Sequence, residues 1–344
     1  MPISVKPTSF TFALTEEQQV LLLHLLQQGN YRPVRVEHTQ AAVDAENCRV
    51  ALYRSGKCLV QGKGAADFVT FMLEPQVLGE ARLGYEEQLQ PAHYEPHMGV
   101  DESGKGDFFG PLVIAAAYAD RDLVPRMQAL GVRDSKRISS DRRLLDIATE
   151  LRKLLHRHYT VVRVGPAAYN RLYAKMRSVN GILAWGHARA LENLLELVPG
   201  CHRAISDQFG SRQQVQRALM AKGRNIELEQ RHRAESDPAV AAASILARAD
   251  FLSALKDMSE HHGVLLPKGA SAATIERGGE LVEKHAPSIL LQTAKCHFRT
   301  TDQVLQRLNL TREVLGPDGR LQSQAMRQSF RGSRSPGSGL KQQQ

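Results

Sequence analysis

The chain has 344 residues, 42% of them hydrophobic and 24% charged, with a formal net charge of +9. That length allows two domains around a sizeable core, and the positive balance suits a polyanionic partner without requiring one. The start, MPISVKPTSF, lacks the charged and apolar regions of a signal peptide, and no stretch reads as the ~18–20 apolar residues that span a bilayer. Four scattered cysteines, Cys48, Cys58, Cys201 and Cys296, form no C-x-x-C pair and read as inert small hydrophobes of a reducing cytosol. The expectation is an intracellular, cytoplasmic chain with no membrane partner.

Residues 1–85 read as a small α+β unit. Leucines recur at helical spacing over Glu16 to Gln28, and Gly29 stops the run. Arg49 to Tyr53, a Ser55-Gly56 turn and Cys58 to Gln61 make a hairpin pattern, followed by a helix from Ala65 to Leu73. The polar stretch from Gly79, with Pro91 and Pro96, leads into a linker at 86–97. Residues 1–90 hold eight Lys/Arg and ten Asp/Glu, so the positive excess lies elsewhere.

From Met98 the pattern is that of an α/β domain over 98–310. Strands are expected at 98–102, 111–118, 159–165, 203–207 and 225–230, with helices at 140–157, 181–197 and 238–258. Two strands joined by a short loop, then strands separated by helices, imply a mixed sheet with flanking helices. From Arg142 to Arg177 nine basic residues face two acids, a candidate nucleic-acid-binding face. Residues 319–344 carry five basic residues and no acid in a Ser/Gly/Gln-rich run, which reads as a disordered basic tail.

GVDESGKGDFFGP, residues 99–111, poses a choice. Gly99, Gly104 and Lys105 have the spacing of a phosphate-cradling P-loop, but Gly106 stands where the Mg²⁺-binding hydroxyl should be, and a β-like run follows where a helix is required. The alternative begins with Asp101 and Glu102 at the end of an apolar strand. Neighbouring strand residues point to opposite faces, so Asp101 should face the site and Glu102 reach it from the strand end. Asp207 closes the strand Ala204-Ile205-Ser206, and Glu235 follows the strand that ends near Gln230. Asp237 competes for the fourth place, but Pro238 suits a first helical position and makes Asp237 a natural N-cap, which favours Glu235. Four carboxylates at the ends of three strands are what a two-metal phosphodiester site requires, with ions ~3.5–4 Å apart.

DESGKGDFFGP (101–111), DSK (134–136), SDQFG (206–210) and AESDPAVAAASILAR (234–248) together resemble type 2 ribonuclease H, and its ribonuclease HIII branch in particular. NGILAWGHARALENLL (180–195), LPKGA (266–270) and AKCHF (294–298) fit the same branch, so the resemblance spans residues 98–305. YRSGKCLVQGKGAADF (53–68) is similar, over a shorter stretch, to the TATA-binding-protein-like domain that precedes the catalytic domain in that branch. The second Gly-Lys-Gly, residues 62–64, reads as a turn.

The resemblance implies a ribonuclease H-like sheet and a monomeric endonuclease that cuts the RNA strand of RNA/DNA hybrids with Mg²⁺ or Mn²⁺, leaving 5′-phosphate and 3′-hydroxyl ends. Asp101, Glu102, Asp207 and Glu235 would hold the metals and carry catalysis. Gly104, Lys105 and Gly106 would meet the RNA strand, where only the 2′-hydroxyl distinguishes RNA from DNA and glycine allows close backbone approach. Lys136 would contact phosphate, and Lys268 is a weaker candidate. His187, beside Trp185, reads as packed or hydrogen-bonded internally. A DNA resolvase or integrase-type nuclease shares strand-end acids, and the Gly-Lys-Gly loop beside the first acids separates the two readings. A non-enzymatic nucleic-acid binder would gain nothing from an acidic cluster.

Overall fold

The computed structural model describes residues 8–79, 90–132, 138, 140–207, 218, 226–231 and 234–322. The chain divides into two units, Met1–Glu95 and Pro96–Gln344. In the first, β1 (Ser9–Ala13), β2 (Arg32–Pro33), β3 (Thr39–Ala45), β4 (Cys48–Tyr53) and β5 (Lys57–Gln61) form an antiparallel sheet in the order β1-β5-β4-β3-β2. Helix α1 (Glu16–Gln28) opens with a capping box between Thr15 and Gln18. Its Leu22, Leu25 and Leu26 are buried in one cluster with Val50, Leu52, Cys58 and Val60 of the sheet. The expected hairpin turns at Gly56, whose φ of +78° lies in the left-handed region open to glycine. The expected second helix starts as α2 (Ala65–Phe68) but continues to Leu78 as a π-helix containing Pro75, a residue with no N–H for an α-helical ladder. The sequence did not predict β1, β2 or β3: β1 alternates polar and apolar residues over only five positions, β2 has two residues, and β3 opens on the adjacent polar pair Thr39-Gln40.

The second unit is built on β6 (His97–Ser103), β7 (Leu112–Ala119), β8 (Tyr159–Val164), β9 (Arg203–Asp207) and β10 (Glu227–Arg231) in the order β10-β9-β6-β7-β8. Strands β6, β9 and β10 are parallel, and β7 runs antiparallel to both its neighbours. This is the mixed sheet expected from the sequence, with every strand within two residues of its predicted bounds. Around it lie α3 (Leu123–Ala129), α4 (Asp141–Leu155), α5 (Pro166–Met176), α6 (Val179–Leu197), α7 (Pro238–His262), α8 (Ala272–His285), α9 (Ile289–Thr293) and α10 (Thr300–Arg307).

Alternation along β6 sorts its residues onto two faces. Met98 and Val100 join Leu112 and Ile114 in a core with Ile182, Leu183 and Leu191 of α6. His97, Gly99 and Asp101 look the other way, toward α7. Gly99 pairs with Ala117, and a Cβ on Gly99 would stand 2.1 Å from the Val240 nitrogen. Small residues on strand and helix therefore let α7 lie directly on the sheet. The sequence credited no stretch with membrane-spanning character. That reading is corrected by α7, which is long and apolar enough by length and composition, although 67% of its apolar window is buried within the protein.

The C-terminal boundary also differs from the expected one. Residues Gly319 to Gln322, assigned to the tail, are held in place. The Arg312 guanidinium donates to the Gly319 and Leu321 carbonyls at 3.1 and 3.3 Å, and the Tyr173 hydroxyl donates to the Gln322 carbonyl at 3.3 Å. Residues 323–344 lie outside the described residues.

Candidate active site

Beyond Gly106 the chain enters β7, so no helix N-terminus follows the Gly-Lys-Gly turn and the P-loop alternative has no phosphate cradle here. The acids lie at the neighbouring strand ends. The β6–β9 register pairs Gly99 with Ile205 and Val100 with Ser206. Asp101 and Asp207 each come one residue past the last paired positions, and alternation puts them on the face that carries Gly99 and Ile205. The short 3₁₀ turn Ala234–Ser236 carries Glu235 to the same neighbourhood, because Ala234 packs with Ile205 and Val240.

Helix α7 runs alongside β6 with matched spacing. Val240 lies over Gly99, and Ser244 donates a hydrogen bond to Asp101. Four helical residues rise ~6 Å and two strand residues ~6.6 Å, so the two contacts fall at successive levels. The start of α7 is fixed by Asp237, which is buried. Its Oδ1 accepts from the Ala239 and Val240 amides at 2.9 and 3.2 Å and lies 3.0 Å from His97 Nε2. Asp237 is thus the N-cap that the sequence predicts.

Glu102 occupies the opposite face of β6. Its Oε2 lies 3.0 Å from His187 Nε2 on α6, and its Oε1 lies 3.6 Å from Lys105 Nζ. Burial raises the Glu102 carboxyl, but hydrogen bonding and charge from His187 together with Lys105 outweigh it and hold the group below the usual glutamate range. Asp101 goes the other way. Burial and then the adjacent Glu102 charge push its pKa up to about 6, against the hydrogen bonds from Ser244 and the Glu102 amide, the latter 2.8 Å long. Two crowded carboxyls whose repulsion a cation would relieve are a donor set that fits a divalent metal. Among the described residues, no three acidic, histidine or cysteine side chains form a group that could hold a metal ion.

The turn itself is held from behind. Gly104 takes φ +87°, and a Cβ there would stand 2.2 Å from the Pro111 carbonyl oxygen, whereas one on Gly106 would meet nothing within 4 Å. Asp107 Oδ1 accepts from the Gly269 amide at 2.6 Å, and the Phe108 amide donates to the Gly269 carbonyl at 2.9 Å. LPKGA therefore packs beside the Gly-Lys-Gly turn, while Lys268 itself pairs with Asp141 of α4 at 2.7 Å. Lys136 lies outside the described residues.

Ser244 and His97 were not singled out from the sequence. A lone serine in the run AVAAASILAR, four residues after Val240, was the available signal for Ser244. His187 is hydrogen-bonded internally as predicted, but its partner is one of the candidate acids.

A five-stranded mixed sheet with acids on its two central parallel strands defines a nuclease of the ribonuclease H-like class. A family model described as Ribonuclease HII matches residues 98–301. The chain is 41% identical over 287 residues to ribonuclease HIII of Protochlamydia amoebophila, covering 83% of this chain and 93% of that one. It is 37% identical over 300 residues to ribonuclease HIII of Chlamydia pneumoniae, covering 87% and 98% of the two chains. The crystal structure of Bst ribonuclease HIII in complex with Mn²⁺ superposes with a TM-score of 0.60 at 28% identity, covering 87% of this chain and 99% of that one. The chain belongs to the type 2 ribonuclease H family, on its ribonuclease HIII branch, and is an endonuclease.

Proposed function

We propose that this endonuclease hydrolyses the RNA strand of RNA/DNA hybrids at a two-metal site formed by Asp101, Glu102, Asp207 and Glu235, leaving 5′-phosphate and 3′-hydroxyl ends. The observation that supports the reading is that Asp101 and Asp207 each follow the last paired residue of two parallel strands, with a Gly-Lys-Gly turn of open tip beginning three residues after Asp101. Mg²⁺ or Mn²⁺ held by these acids would activate the attacking water and stabilise the leaving 3′-oxygen. The Mn²⁺ bound by the Bst relative supports divalent-metal use.

The protein's own part is positioning. Ser244 orients the Asp101 carboxyl from α7, and His187 and Lys105 orient Glu102. The capped start of α7 sets the turn that carries Glu235. At the tip of the Gly-Lys-Gly turn, Gly106 leaves room for a strand to approach the backbone and Lys105 offers a half-exposed ammonium. A backbone amide at that tip can meet a 2′-hydroxyl, which DNA lacks. The first unit, in this reading, is a TATA-binding-protein-like platform that adds grip on the duplex.

The test is cleavage, with and without EDTA, of three matched 5′-labelled duplexes: all-RNA/DNA, DNA carrying one ribonucleotide, and all-DNA. The proposal expects metal-dependent cutting of the RNA strand and none of the all-DNA duplex. Cutting of all three at similar rates would favour a resolvase-type nuclease.

A further inference from the structure

Lys295, in AKCHF, is fully buried, a position lysine occupies only when its ammonium is satisfied. Its Nζ donates to the Gly110 carbonyl at 2.7 Å, the Phe109 carbonyl at 3.3 Å and the Pro111 carbonyl at 3.4 Å. Three donors thus meet three acceptors. The backbone adds a short ladder, in which the Lys295 amide donates to the Phe108 carbonyl at 2.8 Å and the Gly110 amide to the Thr293 carbonyl at 3.0 Å. Gly110 takes φ +81°, a left-handed conformation that turns successive carbonyls toward one point.

This clamp closes a loop. Gly104 packs against the Pro111 carbonyl oxygen, so the two ends of the segment 104–111 meet at a group that Lys295 holds. The clamp is itself anchored by Asn170 on α5, whose amide donates to the Ala294 carbonyl at 2.9 Å and whose oxygen accepts from the Cys296 amide at 2.9 Å. Packing alone does not explain a lysine here. Burial lowers its pKa to about 7, opposed by Asp107, so the site bears a desolvation cost that an apolar side chain of the same length would avoid. What only the lysine nitrogen supplies is a hold on the carbonyls at the base of the turn.

We propose that Lys295 is a positioning residue for substrate recognition, fixing the base of the 104–111 loop so that its Lys105-Gly106 tip keeps the shape that meets the RNA strand. The assignment rests on the reading of that tip given above, and the experiment separates the two. Binding of a fluorescent all-RNA/DNA duplex and of an all-DNA duplex is measured by anisotropy with the full chain in the non-cleaving Asp207→Asn background. Lys295→Met should weaken hybrid binding at least tenfold and all-DNA binding less than twofold. Gly106→Val, whose side chain enters open space in the free protein, should reproduce the selective loss. If Gly106→Val weakens the hybrid while Lys295→Met leaves it within twofold, the assignment of Lys295 falls and the tip reading stands. If Gly106→Val changes nothing, the tip reading falls and takes the assignment with it. Equal losses on both duplexes, or failure of both Lys295→Met and Lys295→Gln to fold, would make Lys295 a residue of stability only and overturn the proposal.

Discussion

The tripeptide Gly-Lys-Gly occurs twice, and the two copies have different neighbours. In residues 62–64 both glycines are hemmed in by backbone: a Cβ on Gly62 would stand 2.3 Å from the Asn47 carbonyl oxygen, and one on Gly64 would stand 2.4 Å from that of Glu46. The glycines there let two segments of the first unit pack, and the Gly64 amide donates to the Asn47 carbonyl at 3.0 Å. In residues 104–106 only Gly104 is hemmed in. Gly106 faces open space, and Lys105 reaches back to Glu102. One copy closes a fold, whereas the other has an open position at Gly106 and a lysine that pairs with an acid of the proposed site.

The comparison breaks most sharply at the acids. Asp207→Asn removes charge with little change of volume, and cleavage should fall at least about a thousandfold, roughly 4 kcal/mol of barrier, with hybrid binding within a few fold. Retention of more than about a tenth of the wild-type rate would remove Asp207 from the ligand set. No acid beside the first copy should behave this way: Asp67→Asn is expected to leave turnover unchanged.

Glu235 and Asp237 should separate catalysis from stability. Glu235→Gln should abolish turnover at saturating metal with little change in melting temperature. Asp237→Ala loses an N-cap, ~0.5–2 kcal/mol, and takes the acceptor from buried His97, ~1–3 kcal/mol, so thermal unfolding should register roughly 1.5–5 kcal/mol. Effects falling on the opposite residues would reverse the assignment.

The glycines themselves give a reciprocal pair. Gly106→Ala should raise KM for the hybrid severalfold and leave the melting temperature unchanged. Gly64→Ala should destabilise the first unit by about 1–3 kcal/mol through overpacking and leave kcat alone. Smaller still is the effect of deleting residues 1–90. A platform that binds ground and transition states alike should lower KM and not alter kcat, so the truncated enzyme should show a raised KM and kcat within about twofold. The salt dependence of binding should change less than the affinity, since residues 1–90 are not net basic.

The catalytic sheet was legible because β6, β7 and β8 are largely apolar runs, and because α7 announces itself with Asp237-Pro238 and a run of alanines. The first unit was less so: β1 is short and half polar, β3 lacks a clear alternation, and α2 passes into a π-helix around Pro75, which periodicity over 65–73 does not show. Within the site, Asp101 and Asp207 could be predicted as strand-end acids, but their lateral pairing depends on the β6–β9 register, set by residues a hundred positions apart. Lys295 was invisible for the same reason, since its acceptors lie in a loop 184–186 residues earlier.

The central claim, that the acids beside the second Gly-Lys-Gly hold divalent metal, is tested most directly by calorimetric titration of Mn²⁺ into the full chain at pH 7.5 and pH 5. Asp101 has its pKa raised to about 6, so it is ionised at the higher pH and mostly protonated at the lower. A protonated carboxyl must release its proton to ligate, and at one pH unit below the pKa this weakens binding roughly tenfold. The wild-type chain should therefore bind Mn²⁺ about tenfold more weakly at pH 5 than at pH 7.5, whereas Asp101→Asn should bind weakly at both. Mn²⁺ affinity that ignores pH, or that survives Asp101→Asn intact, would contradict the account.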